Sequence, residues 1–431
     1  MQIIELNQKL LKKFGGNRED IINKLKTTGL YLLVPVVSFS VSVFTSPIFA
    51  RYLTQEEFGY FGYFNSVSTF LTCFYGLLFQ TYHMSVFFKF DETERKSVLA
   101  SLVLFNLLWN LIFYPVSCIG VYLYMKYSHS NIPFFPFAIV TFGTAVIATY
   151  KGFVQANYRL GQQAFLYFIF VAGYRVLTIF VSLYFVMYAN MGLYGRMLGI
   201  LITEVLFFVI SLLHIFKDQQ LIIRKEVIKN AFKIVYPLFP ASFLYLPLLS
   251  YDNIVLERLH QPGELGLYNI GKGIASYLYT ALFPFYQTFE PDIYKNAVQK
   301  NISSLKKTSL LLLVIVIISL IGFWIFSPLL INYLTAGKYN AALKYSNIFA
   351  ITSCLMIVFS IFDAIINALH ETKKSLLINT ISAGLCIVMY TLASKYFAQT
   401  GVAVTTVIVY VCLLGLQAFF VIRKFRKDLR N

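Results

Sequence analysis

From about residue 30 to residue 422 the chain reads as a succession of apolar runs, each close to twenty residues long, separated by short polar segments. Runs such as Leu310–Phe326 and Val402–Ile422 contain no charge at all. A hydrocarbon layer of roughly 30 Å needs about 20 helical residues at about 1.5 Å each, so these runs have the length of membrane spans. Transmembrane β-strands would instead alternate apolar and polar residues in shorter segments. Only 13% of the 431 residues are charged and 58% are hydrophobic, too few polar groups to cover a soluble protein of this size. The fold class expected is therefore an all-α integral membrane protein with about twelve transmembrane helices. They are placed near 30–50, 58–83, 98–118, 132–150, 164–188, 192–216, 234–256, 265–289, 308–330, 345–369, 376–394 and 401–422.

The formal net charge is +17. Nucleic acid is one partner for a basic protein, but here the charge sits in short pieces between apolar spans, which argues against it. With both termini on one side, the segments on that side hold 27 of the 36 Lys and Arg residues and the opposite loops hold six. Such a bias places the basic side in the cytoplasm. It predicts a multi-pass membrane protein with both termini cytoplasmic, in contact with anionic lipid. Residues 3–14 set Ile3, Leu6, Leu10, Leu11 and Phe14 on one helical face, away from Lys9, Lys12 and Lys13, as in an interfacial amphipathic helix. The first 28 residues are otherwise polar and basic, and no cleavable leader is expected. The five cysteines lie inside apolar spans without a CxxC or a Cys/His cluster, and read as small apolar filler.

The chain repeats itself at an offset of 207 residues. Arg51-x5-Glu57-Phe58-Gly59-Tyr60-Phe61 matches Arg258-x5-Glu264-Leu265-Gly266-Leu267-Tyr268, and Gln80-Thr81-Tyr82 matches Gln287-Thr288-Phe289. A weaker echo pairs Gln155-Ala156 with Asn367-Ala368. Six spans per copy is an even number, so both copies enter the membrane in the same sense and form parallel lobes. Lobes of this kind line a central cavity in transporters and rock to alternate its access. The expected organisation is a cytoplasmic amphipathic and basic segment (1–28), a six-helix lobe (29–216), a cytoplasmic linker (217–233), a second six-helix lobe (234–422) and a basic cytoplasmic tail (423–431). Pro35 and Pro47 in the first span are answered by Pro237, Pro240 and Pro247 in its repeat mate. Interrupted helices at corresponding positions mark moving or substrate-lining elements, although prolines are also common in membrane helices generally.

Six ionisable residues fall inside spans: Arg175, Arg196, Glu204, Asp252, Lys272 and Asp363. Each costs about 2.5–3.5 kcal/mol at a helix centre unless it is hydrated or paired. Three cations and three anions could neutralise one another as structural glue. As a set they point to a hydrated cavity. Arg196 and Glu204, eight residues apart, are expected on one face. Arg175, Arg196 and Lys272 would suit an anionic substrate, Arg as a bidentate fork for phosphate and Lys as a point charge. Glu204, Asp252 and Asp363 are candidates for carrying a coupling proton or sodium ion.

Enzyme signatures are missing. No GxxxxGK[ST], HExxH or GxSxG occurs, and Gly271-Lys272-Gly273 lies in an apolar helical run rather than after a strand. The five histidines are scattered. Glu56-Glu57 is an acidic pair in a loop of a few residues, too short to build a glycosyltransferase site. No cofactor, metal site or catalytic residue is expected.

The stretch Leu33-Val34-Pro35…Pro47-Ile48-Phe49-Ala50-Arg51-Tyr52-Leu53…Glu57-Phe58-Gly59-Tyr60-Phe61 resembles the opening of Wzx-type polysaccharide and O-antigen repeat-unit flippases, of the multidrug/oligosaccharidyl-lipid/polysaccharide (MOP) exporter superfamily. Asp252-Asn253-Ile254-Val255-Leu256, then Glu264-Leu265-Gly266-Leu267-Tyr268, then Pro284 and Pro291, look like that family's helix 7–8 signature. The resemblance implies twelve helices in two lobes. It also implies transfer of an undecaprenyl-diphosphate-linked oligosaccharide (an O-antigen, capsule or exopolysaccharide unit) from the cytoplasmic to the periplasmic leaflet. Asp252 would match the family's helix 7 acid, with Arg175, Arg196 and Lys272 as cavity cations, and a polysaccharide polymerase and chain-length machinery as partners. Two rivals stay open: a cation-coupled multidrug antiporter of the same fold, whose cavity should be acidic and aromatic, and a membrane-embedded glycan polymerase, disfavoured by the short outer loops.

Overall fold

The computed structural model describes residues 18–217, 219, 222–369 and 371–428. The amphipathic segment expected at 3–14 and the last three residues of the basic tail lie outside the described residues. Thirteen α-helices follow in order: α1 (Arg18–Tyr52), α2 (Gln55–Gly76), α3 (Phe79–Val86), α4 (Glu92–Tyr127), α5 (Phe137–Leu160), α6 (Ala164–Met187), α7 (Gly192–Phe216), α8 (Lys225–Val235), α9 (Phe239–Glu257), α10 (Pro262–Val298), α11 (Ile302–Leu334), α12 (Leu343–Ala368) and α13 (Thr372–Asp428). No strand occurs among the described residues.

Eight of these helices are each long and apolar enough to cross a membrane, and a ninth span forms if α8 and α9, bent by 56° at their junction, are taken together. α13 itself holds two spans, because its helical backbone is interrupted at Ala398 (φ 49°, ψ −146°). The α2–α3 pair and α10 cover the remaining two expected spans. They fall short in hydropathy because they carry the polar residues of the central cavity.

The two halves are built alike. In the first, α1 packs on α6, α2 on α5 and α5 on α7; in the second, α9 packs on α13, α10 on α12 and α12 on α13. α2 begins at Gln55 and α10 at Pro262, separated by the offset of the sequence repeat. The break between α2 and α3 falls at Leu77 and Leu78, both left-handed (φ 48° and 53°). Its repeat mate in α10 is Pro284. The result is two parallel lobes.

The lobes meet where α2 and α10 begin. A Cβ on Gly59 would collide with the carbonyl of Pro262, and one on Gly266 with the carbonyl of Gln55. The two glycines are repeat mates, so the contact is reciprocal, and only small residues let two membrane helices approach this closely. Other bonds close the same end. Tyr339 donates its hydroxyl hydrogen to Leu53 O, Lys338 Nζ lies 3.1 Å from the same carbonyl, and Arg258 reaches Tyr124 Oη on α4 at 3.1 Å. At the other end the lobes touch through aromatic rings: Phe74 of α2 lies 5.2 Å from Phe239 and 5.8 Å from Phe243 of α9.

The segment expected as a linker contains a helix. α8 buries Ile228, Ala231 and Val235 in the core of the first lobe. Phe232 meets Phe79 and Phe105 at 5.3 and 5.9 Å. The chain bends at Tyr236–Leu238, between α8 and α9.

Replacing Gly266 by Val should force the helices apart, at about 1–3 kcal/mol for overpacking, and lower the melting temperature of the purified protein by several degrees. Gly322→Val, where a Cβ meets nothing within 4 Å, serves as the control with little expected change.

Candidate functional site

Between the lobes, just beneath the glycine contact, lies a cavity of about 500 Å³. α2 contributes Phe58, Phe61, Gly62, Asn65, Ser66 and Thr69; α9 contributes Ser250 and Asn253; α10 contributes Asn269, Lys272, Gly273, Ser276 and Tyr277. Ser46 and Ala50 of α1, Arg196 of α7, and Leu334, Thr335 and Tyr339 complete the wall. Hydroxyls and carboxamides share the wall with apolar groups, Leu249, Ile270 and Ile274 among them, and Arg196 and Lys272 are the charged residues of the lining. No carboxylate lines it among the described residues. The glycines serve the polar lining: a side chain at Gly62 would collide with the Asn269 carboxamide, its repeat mate. Asn253, only 2% exposed, keeps a carboxamide oxygen without a partner.

Arg196 is held by rings rather than by a counter-ion. Its guanidinium carbon lies 4.3 Å from the Phe61 ring centre and 4.5 Å from that of Phe49, with Phe58 at 5.9 Å. Cation–π contacts are worth about 2 kcal/mol when desolvated and leave the charge uncancelled. No carboxylate among the described residues comes within ion-pair distance of it. Lys272 differs. Its ammonium lies 2.6 Å from Asp252 Oδ2 and donates to Leu249 O at 3.2 Å, while Tyr268 donates to the same Asp252 oxygen at 2.7 Å. Asp252 is buried behind the lysine and its other oxygen is unpartnered. The pair is neutral overall, so the net charge of the cavity comes from Arg196.

Glu204 does not join Arg196. It is 3% exposed, inside the first lobe, where Lys151 of α5 forms an ion pair with it and Tyr174 of α6 donates its hydroxyl hydrogen. The Lys151 ammonium also sits 3.1 Å from the centre of the Tyr174 ring. The expected shared face fails on helix geometry: eight residues at about 3.6 per turn leave the two side chains about 80° apart. Lys151 falls one residue beyond the fourth span as expected near 132–150. It lies within α5, which continues to Leu160, and it is 8% exposed. Arg175 is on an exposed flank of α6, 5.9 Å from the Tyr174 ring, and does not line the cavity. Asp363 accepts a bond from Asn367 at 2.9 Å and faces a separate cavity of about 340 Å³ in the second lobe, together with Glu290, Tyr245 and Tyr286.

The structure thus brings Arg196, Lys272 and Asp252 to the inter-lobe site and leaves Arg175, Glu204 and Asp363 elsewhere. Sequence reasoning missed the neutral lining of Asn65, Asn253 and Asn269. Asn65 and Lys272 are themselves repeat mates, a signal that was available in the sequence. Among the described residues no cluster of three or more His, Cys, Asp or Glu could hold a metal ion.

Lys272→Met would strand Asp252 as a buried, unpaired charge, a loss of about 3–5 kcal/mol. The double variant Lys272→Met/Asp252→Asn should recover most of that stability, as read from thermal unfolding of the purified protein.

Residues 25–296 match the family described as polysaccharide biosynthesis protein. A search of curated protein sequences finds no significant match. Among solved structures, the lipid II flippase MurJ in an inward closed conformation aligns over 92% of this chain and 89% of its own, with a TM-score of 0.71 and 16% identity. An inward-facing multidrug resistance transporter of the MATE family aligns over 93% and 99%, with a TM-score of 0.66 and 11% identity. The MATE transporter VcmN of Vibrio cholerae aligns over 95% and 96%, at 0.54 and 11% identity. At these identities the likeness concerns the fold, which this chain shares with these transporters.

Proposed function

We propose that this chain, which belongs to the polysaccharide biosynthesis protein family, is a flippase that carries an undecaprenyl-diphosphate-linked oligosaccharide from the cytoplasmic to the periplasmic leaflet of a bacterial inner membrane. The observation that carries the reading is the inter-lobe cavity, with an uncancelled Arg196, no lining carboxylate among the described residues, and amide and hydroxyl groups set in its walls. A diphosphate is anionic and a glycan is rich in hydroxyls, so neither crosses hydrocarbon unaided. Arg196 supplies a fork for phosphate oxygens. Lys272 can lend one further donor while Asp252 holds it in place. Asn65, Asn253 and Asn269 offer the donor–acceptor pairs that sugars require. The lipid tail stays in the bilayer beside the cleft.

In this scheme the lobes, 29–216 and 234–422, rock about the bend at Tyr236–Leu238, with α8 of the 217–233 segment moving with the first lobe. The glycine contact closes the periplasmic end, and the rings of Phe74, Phe239 and Phe243 sit at the cytoplasmic end. Asp363, facing a cavity with Glu290, is the coupling candidate, whereas Glu204 is tied to Lys151 as structural glue. The basic loops put both termini in the cytoplasm. Multidrug antiport shares the fold, but a pocket for cationic drugs calls for free acidic groups. The acid nearest this cavity, Asp252, is already neutralised by Lys272. No catalytic role is assigned to any residue, and polymerisation and chain-length control are left to partner proteins.

In a strain lacking the wild-type gene, Arg196→Ala should support roughly tenfold to hundredfold less surface polysaccharide, as expected for losing one charge-assisted contact. Arg196→Lys should restore part of it, with equal protein in the membrane. Wild-type polymer from Arg196→Ala would contradict the assignment.

A further inference from the structure

A second cavity lies at the far end of the first lobe from the glycine contact, where α4 and α6 begin and α5 and α7 end. Its volume is about 370 Å³, and it shares no lining residue with the inter-lobe cavity. Arg95 and Lys96 from the start of α4, and His214 and Lys217 from the end of α7, converge on it. The single acidic residue of the lining, Glu92, is taken up by Lys96 at 2.6 Å. Arg95 is laid over the Phe87 ring, its guanidinium carbon 4.1 Å from the ring centre, and no carboxylate among the described residues pairs with it. Neutral donors complete the wall: Asn157, Gln163 and Gln219. α6 starts at the rim with no side-chain cap on its first turn, and such uncapped N–H groups favour an anion. Leu99 and Ile215 give the cavity an apolar floor.

We propose that this cavity is a binding site for a phosphate headgroup, distinct from the transport path. Cations held at the membrane interface over an apolar floor match a phosphodiester with its glycerol and acyl chains beneath it. The site does not depend on the flippase reading. A lipid seated there bridges α4 to α7, and so ties together the lobe on which α8 is docked.

The test is native mass spectrometry of the purified full-length protein titrated with phosphatidylglycerol or phosphatidylcholine. The wild type should retain phosphatidylglycerol in preference to phosphatidylcholine. The variant Arg95→Gln/Lys217→Gln should bind it about thirtyfold more weakly, given the attraction of two interfacial charges. The charge-preserving variant Arg95→Lys/Lys217→Arg should keep most of the affinity. Displacement of bound lipid by millimolar inorganic phosphate would assign the same cations to a soluble phosphate ligand. Equal retention of the two lipids by the wild type, or equal phosphatidylglycerol binding by wild type and double-Gln variant, would overturn the proposal. Should the double-Gln variant not fold, the melting temperature of the wild type decides. A rise with phosphatidylglycerol alone supports the site, and an equal response to both lipids removes it.

Discussion

Two helices, α2 and α10, meet backbone to backbone at Gly59 and Gly266, and the rest of the molecule is arranged around that contact. Because each glycine faces the carbonyl at the start of the other helix, neither can gain a side chain without moving a lobe. The approach fixes one end of the cleft. Below it the same two helices diverge and present Asn65, Asn269 and Lys272 to the space between them. A close contact at one end and a polar cavity under it are thus one design in which two repeat mates act together. The rings that bring α2 and α9 together at the opposite end make no directional bonds, so parting there disturbs less than parting at the glycines.

The cost of a charge in hydrocarbon explains how the ionisable residues are sorted. Lys151 and Glu204 sit on neighbouring helices of one lobe and neutralise each other in a site with almost no exposure. Such a pair adds little net stability but penalises the loss of either member. Lys272 and Asp252 form a second pair at the cavity wall, with the cation toward the cavity and the acid behind it. Arg196 keeps its charge, in contact with three aromatic rings. A guanidinium tolerates this better than an ammonium, being planar and weakly hydrated. A ligand meeting this surface therefore sees one full positive charge in a neutral wall of hydrogen-bonding and apolar groups.

Much of the fold was legible in the sequence. Apolar length gave the spans, and the 207-residue offset announced the two lobes before any contact was known. The helices hardest to recognise by hydropathy, α2 and α10, supply most of the cavity lining, since amides, glycines and a lysine stand where an anonymous span would have leucine. Pairing was not legible. Glu204 finds Lys151 on another helix 53 residues away, and no local pattern reveals which helices neighbour one another. Lys151 was hidden further by a boundary set ten residues too early, and Arg175 shows that a charge within a span can face outward. The linker helix α8 was overlooked because its charged residues mask the short apolar stripe of Ile228, Ala231 and Val235.

The central claim is that the cleft moves a lipid-linked anionic glycan between leaflets. It is tested most directly by reconstituting the purified protein in liposomes that contain an undecaprenyl-diphosphate-linked oligosaccharide. The fraction of glycan open to an enzyme added outside is then followed over time. The account predicts that protein-containing liposomes expose the inner-leaflet pool far faster than protein-free ones. Equal rates with and without protein, alongside uptake of a cationic dye driven by an ion gradient, would contradict it.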